Sequence, residues 1–160
     1  MGTAKRFSFL RIGPFAKVRR GRKAAPSWSR KAAAFAWVGR LAKPSVQVKR
    51  VYEPASREDG VRVLVDRLWP RGLSKPRAAV DLWLKDLAPS RSLRRWFNHD
   101  PARWVEFKER YAEELDAKTL AVSALAGAAK RGRITLLYGA RDVKHNNAVA
   151  LHAYLSSRGE

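Results

Sequence analysis

Ile134-Thr135-Leu136-Leu137-Tyr138-Gly139 is the stretch on which the fold turns. Its apolar character is nearly continuous over five residues and stops at a glycine. So short a run, without polar alternation, predicts a strand buried on both faces of a sheet. Upstream lies an alanine-rich segment, Lys118 to Arg131, in which Leu125 and Ala129 face inward. Lys130 and Arg131 sit in its last turn and Gly132 follows, which is how a helix carboxyl end is written. Downstream a second helix is expected from about Val143 to Ser157. A buried strand between two helices implies crossover connections and a mainly parallel sheet flanked by helices.

The rest of the chain supplies partners for that strand. Val46, Val48 and Val51 mark one further strand, and Pro54 through Gly60 holds the Pro, Ser, Asp and Gly of a turn. Val61, Val63 and Val65 share one face of the next strand, with Arg62 and Leu64 on the other, and the alternation ends at Asp66. After a loop containing Pro70, Gly72 and Pro76, the alternation of Val80, Leu82 and Leu84 predicts a short third strand, closed by Pro89. Ser90 caps a short helix running to Phe97, and Asp100-Pro101 starts a longer one. Trp104, Phe107, Tyr111 and Leu115 recur in that helix at the spacing of a buried stripe.

Composition bounds the possibilities. The 160 residues are 46% hydrophobic, enough for one modest core. With no cysteine, disulfides, Cys-based zinc sites and thiol nucleophiles are excluded by inventory, and reduced cytosol is the expected compartment. The longest apolar run, Ala32 to Val38, falls well short of the roughly 20 residues a membrane helix needs.

The formal net charge is +20, and residues 1–45 hold 12 Lys/Arg with no Asp or Glu, so that residues 46–160 carry only +8. The charge therefore divides the chain into a basic, disordered extension over residues 1–45 and an α/β domain over residues 46–160. Phe7, Phe9, Phe15, Trp28, Phe35 and Trp37 are scattered through the extension without a sustained period, beyond a short amphipathic turn over Lys31 to Lys43. Three accounts fit it: an arm binding nucleic acid or an anionic membrane, a targeting peptide, or upstream sequence read from too early a start.

If the strands ending at Asp66 and Tyr138 are parallel neighbours, their carboxyl ends open onto one sheet edge, where ligands of open α/β folds bind. Asp66-Arg67-Leu68-Trp69-Pro70-Arg71-Gly72 follows the first of them and carries two guanidiniums and an acid in seven positions. Arginine forks suit phosphate or carboxylate, and a helix starting near Asp142 would turn free backbone amides to the same edge. A small anionic ligand held by Arg67, Trp69, Arg71, Gly139 and Asn146 is the expectation, with Asp66, His99 and Tyr138 as candidates for proton chemistry. The same residues fit a structural account, in which Asp66 and Arg67 pair to lock the loop, Trp69 plugs the core, Tyr138 packs and His99 is solvated. His145, Asn146 and Asn147 are open to either account, and His152 falls among Ala148, Leu151 and Leu155 as a core-edge residue. No metal-ligand spacing, GxxxxGK loop or GxSxG elbow occurs, so no metal is expected and no cofactor is indicated.

Lys49-Arg50-Val51-Tyr52, the block Val65 to Gly72, His99-Asp100-Pro101 with Trp104, Phe107 and Tyr111, and Leu136-Leu137-Tyr138 together resemble the YeaO-like domain-of-unknown-function family of bacteria. The resemblance covers Val46 to Glu160 and leaves the basic extension outside. It implies a compact α/β domain without an established activity. Arg67, Trp69, Arg71 and Tyr138 match the family pattern, whereas Gly139 stands where some relatives carry serine, so no hydroxyl role carries over.

The rival expectation is a nucleic-acid-associated protein, with the extension and a basic face of Arg91, Arg94 and Arg95 on phosphates. In that case deleting residues 1–45 lowers both the affinity for nucleic acid and the salt dependence of binding. Equal binding by the truncated protein, measured across a salt series, removes the extension from the interface.

Overall fold

The computed structural model describes residues 45–158. Residues 1–44, with the turn expected over Lys31 to Lys43, lie outside the described residues. Four parallel strands, β1 (Val46–Arg50), β2 (Val61–Leu64), β3 (Leu82–Trp83) and β4 (Ile134–Tyr138), form one sheet in the order β1-β4-β2-β3. The helices are α1 (Lys75–Ala78), α2 (Arg91–Phe97), α3 (Trp104–Asp116), α4 (Thr119–Arg131) and α5 (Asn147–Ser157). β4 is the central strand that its apolar run predicts, and all five of its residues are buried.

The differences from the sequence reading are local. The third strand shrinks to two residues because Ala79 is left-handed, with φ +46°, and a 3-10 turn over Lys85–Leu87 begins immediately after Leu84. Lys75–Ala78, read as loop, is one helical turn, and Pro76 is tolerated there because the amides of a first turn have no intrahelical acceptor to lose. The last helix starts at Asn147 rather than Val143, since Asn146 is its cap and accepts from the Val149 amide at 3.1 Å.

One face of the sheet is covered by α2 to α5. Val63, Val65, Ile134, Leu136 and Tyr138 meet Leu93 and Phe97 of α2, the stripe Phe107, Tyr111 and Leu115 of α3, Val122 and Leu125 of α4 and Leu151 of α5. Phe97 and Phe107 lie 4.3 Å apart, and the Tyr111 hydroxyl donates to the Leu87 carbonyl at 2.5 Å, so the one polar atom the ring takes inside is satisfied. Each fully buried side chain of this layer contributes roughly 1.5–3 kcal/mol.

The other face is covered mainly by connections. To travel from β1 to β2 the chain must cross β4, and residues 51–60 do so over this face. Leu64, Leu137, Val51 and Ala78 form a small second cluster there, joined by Trp69, Leu73, Val80 and Trp83. Beside it lies a buried polar network. Asp59, 2% exposed, accepts from Lys49 Nζ at 3.0 Å, from the Ser56 amide at 3.1 Å and from the Arg62 guanidinium. Arg62 also donates to the carbonyls of Ala78 and Ala79 at 3.1 and 3.0 Å, taking the free carbonyls at the end of α1, while Thr135 Oγ1 donates to the Asp59 carbonyl at 2.6 Å. Gly60 turns the chain into β2 with φ +63°. A Cβ there would lie 2.1 Å from the Arg133 carbonyl oxygen, which accepts the Val61 amide at 3.0 Å.

Burial works to raise the Asp59 carboxyl, but Lys49, Ser56 and Arg62 outweigh it and hold the group down at about 2. A folded value below the unfolded 3.8 stabilises the fold above pH 4, and that stability is lost as pH falls towards 2. We expect Asp59→Asn to cost about 2–4 kcal/mol at pH 7, because it also leaves the buried Arg62 and the half-buried Lys49 without their anion. The variant should show a shallower pH dependence of urea unfolding between pH 5 and 2. An unchanged acid limb would show that the network does not carry acid stability.

Candidate functional site

β2 and β4 pair in parallel with Val63 opposite Leu136 and Leu64 opposite Leu137, so their carboxyl ends do open side by side. Beyond Val65, whose amide donates to the Leu137 carbonyl at 3.1 Å, the backbone ladder stops. Asp66 continues it with a side chain. One carboxylate oxygen accepts the Gly139 amide at 2.7 Å, and the other accepts Asn147 Nδ2 at 3.2 Å. Asn147 Nδ2 also reaches the Val65 carbonyl at 3.0 Å, so the first residue of α5 is tied to the end of β2.

Around this junction lies a cleft of about 190 Å³. Its charged and polar lining is Asp66, Arg67, Arg94, His99 and Asn147, and Leu68, Ala88, Pro89 and Ala140 supply the remainder. Arg94 comes from the last turn of α2 and His99 from the left-handed step after it, with Asn98 at φ +44° and His99 at φ +56°. Arg94 Nε is buried and has no hydrogen-bond partner among the described residues. Burial pushes the Asp66 carboxyl above its ordinary value, while the Gly139 amide, Asn147, Arg94 and His99 pull against that rise without cancelling it.

The other expected site residues lie elsewhere. Trp69 faces the second hydrophobic cluster, donating from its indole to the Leu73 carbonyl at 2.7 Å and meeting Trp83 edge-on at 5.4 Å. Arg71 is exposed and outside the cleft lining, and its carbonyl accepts the Tyr52 hydroxyl at 3.1 Å. Tyr138 is buried in the main core and outside the cleft lining, with burial raising its phenol above the ordinary value. Gly139 spends its amide on Asp66 and is overlain by the loop, since a Cβ there would lie 3.1 Å from the Asp66 carboxylate and 3.9 Å from Pro70. Asn146 is 2% exposed and acts as the α5 cap, with its amide nitrogen on the Asp142 carbonyl at 3.0 Å.

Two of the amides that follow Asp142 are taken by its own side chain. Its carboxylate accepts the amides of Lys144 and His145 at 2.7 and 3.0 Å and bonds His145 Nδ1 at 2.8 Å, and these contacts hold the carboxyl at about 2. His145 meets Trp104 edge-on at 5.3 Å. The expected ion pair between Asp66 and Arg67 is not formed among the described residues. Of Arg91, Arg94 and Arg95, Arg94 lines the cleft, whereas Arg91 and Arg95 are exposed and outside its lining. Arg94 was therefore legible as part of a basic helix but not as a site residue, because three-residue spacing on so short a helix does not say which arginine turns inward. Asn147, left open between ligand and backbone by the sequence, lines the cleft and bonds the Val65 carbonyl and Asp66.

Among the described residues there is no group of three or more His, Cys, Asp or Glu able to hold a metal ion, and no helix long and apolar enough to cross a membrane. Residues 45–160 match the model of the family described as the inactive DUF488-N3 subclade. The uncharacterised protein YeaO of Escherichia coli (strain K12) is 42% identical over 113 residues, covering 71% of this chain and 98% of that protein. The uncharacterised proteins Rv3073c of Mycobacterium tuberculosis (strain H37Rv) and Mb3100c of Mycobacterium bovis are likewise 42% identical over 113 residues, covering 71% of this chain and 95% of each. No solved structure matches.

A carboxyl whose folded value lies above its unfolded one stabilises most below the unfolded value and loses that contribution as pH rises through the folded value. Carbon-detected NMR titration should therefore place Asp66 above the ordinary 3.8, and Asn147→Ala should raise it further by removing a donor to the charged form. Asp66→Asn should abolish the matching loss of stability with rising pH. A midpoint at or below 3.8 would contradict the burial argument.

Proposed function

We propose that this chain, which belongs to the YeaO-like DUF488-N3i family, binds a small phosphate- or carboxylate-bearing ligand in the cleft beside Asp66 and performs no chemistry on it. The observation that carries this reading is Arg94. The Arg94 guanidinium lines the cleft, where an oxyanion would accept from it, and its buried Nε, without a partner among the described residues, leaves the group under-satisfied in the absence of one. Arg67 and His99 line the same space, so cationic groups outnumber the one acid. Both oxygens of that acid already accept from Gly139 and Asn147, which ties Asp66 into the fold as a brace.

The description of the subclade as inactive supports binding over turnover. Tyr138 lies outside the cleft, which leaves Asp66 and His99 without a third proton-transfer candidate. The nucleic-acid alternative rests on an extension that lies almost wholly outside the described residues, and its helical component loses Arg94 to the cleft.

Inorganic phosphate and small dicarboxylates should raise the melting temperature of the full chain in a concentration-dependent way. Arg94→Ala should weaken the fitted affinity about tenfold to hundredfold, as removal of a charge-assisted pair does, while Arg71→Ala leaves it unchanged. Loss of stabilisation in Arg71→Ala with none in Arg94→Ala would move the ligand to the exposed loop and reject this cleft.

A further inference from the structure

A second, larger cleft of about 440 Å³ adjoins the first. Three observations connect the two. Arg67 lines both, and the consecutive residues Leu87 and Ala88 line one each, so a single segment walls the pair. The Trp83 indole, which lines the second cleft, donates to the Asp66 carbonyl at 2.7 Å and so fixes its ring directly beside the first.

The chemistry of the second cleft differs from that of the first. Trp83 presents a ring with Lys85 Nζ 4.5 Å from its centroid, and Leu84, Leu87 and Ala121 add apolar surface. An exposed lysine resting on an indole is a weak and replaceable cover, and a flat π-system can take its place on the ring. Asp86 lines the same cleft and accepts hydrogen bonds, as the exocyclic amine of a base would require. Arg67 stands between the aromatic space and the cationic one, and among the described residues it has no ion-pair partner holding it to either side.

Resting on the anion-binding reading above, we infer that the joined clefts take a mononucleotide: a planar base against Trp83, its phosphate on Arg94 and His99, and Arg67 alongside the linking sugar. The arrangement separates a ring site from a phosphate site by one shared arginine, which is the division a nucleotide needs. A bare oxyanion would use only half of it.

Titration calorimetry on the full chain with inorganic phosphate, ribose 5-phosphate, adenosine 5′-monophosphate and adenosine tests this. Adenosine 5′-monophosphate should bind at least about tenfold more tightly than ribose 5-phosphate, the usual gain from stacking one base on an aromatic ring. Ala121→Gln, which fills the second cleft from α4, should erase that advantage while phosphate affinity stays the same. Trp83→Leu should do likewise, with circular dichroism and melting temperature confirming that it folds. Equal affinities for the nucleotide and the sugar phosphate, or an advantage that survives both substitutions, would overturn the nucleotide inference and leave the anion site standing. If none of the phosphates binds, the nucleotide inference falls, and the anion site stands only if the dicarboxylates stabilise the chain.

Discussion

A parallel ladder needs a carbonyl opposite every amide, and at the end of β2 this protein supplies a carboxylate instead. Asp66 takes the Gly139 amide that a longer β2 would have taken with its backbone, and Asn147 occupies the Val65 carbonyl left over. The exchange lets the chain leave the sheet early without leaving a buried amide unpaired. It also makes one side chain the junction of β2, β4 and α5, so the rim on which the clefts lie is held together by a single acid.

That economy explains why the acid reads as a brace. A carboxylate that accepts from a backbone amide and a side-chain amide has its lone pairs directed at the protein, and its burial raises the cost of the charge it keeps. The Arg94 guanidinium beside it pulls the carboxyl down, and its buried Nε has no partner among the described residues. An excess of donors at a rigid floor favours holding a ligand over transforming it.

Most of this architecture was legible because it rests on periodicity. β4, the α3 stripe and the Asp100 cap are each written in residues that are neighbours in sequence or recur at a fixed interval, and each lies where that interval puts it. The site was legible only as far as Asp66, Arg67 and His99. Arg71 shares a loop with Arg67 and still lies outside the cleft lining, with its carbonyl pinned by Tyr52 from the turn after β1, a contact separated by 19 residues. Asn146 and Asn147 are adjacent and chemically identical, and only the start of α5 decides which one caps and which one reaches β2. The polar network around Asp59 was equally hidden: Arg62 shares a strand face with Leu64, and nothing local says that a crossover will bury it.

Gly60 sets a different kind of limit. The crossing from β1 to β2 is held at its end by a backbone contact that leaves no room for any side chain, because the Arg133 carbonyl stands where a Cβ would go. Upstream of it, Pro54 and Ala55 are exposed and carry no side chain able to hydrogen-bond. A library randomising that stretch in content and even in length should return many folded members, whereas randomising position 60 should return glycine alone.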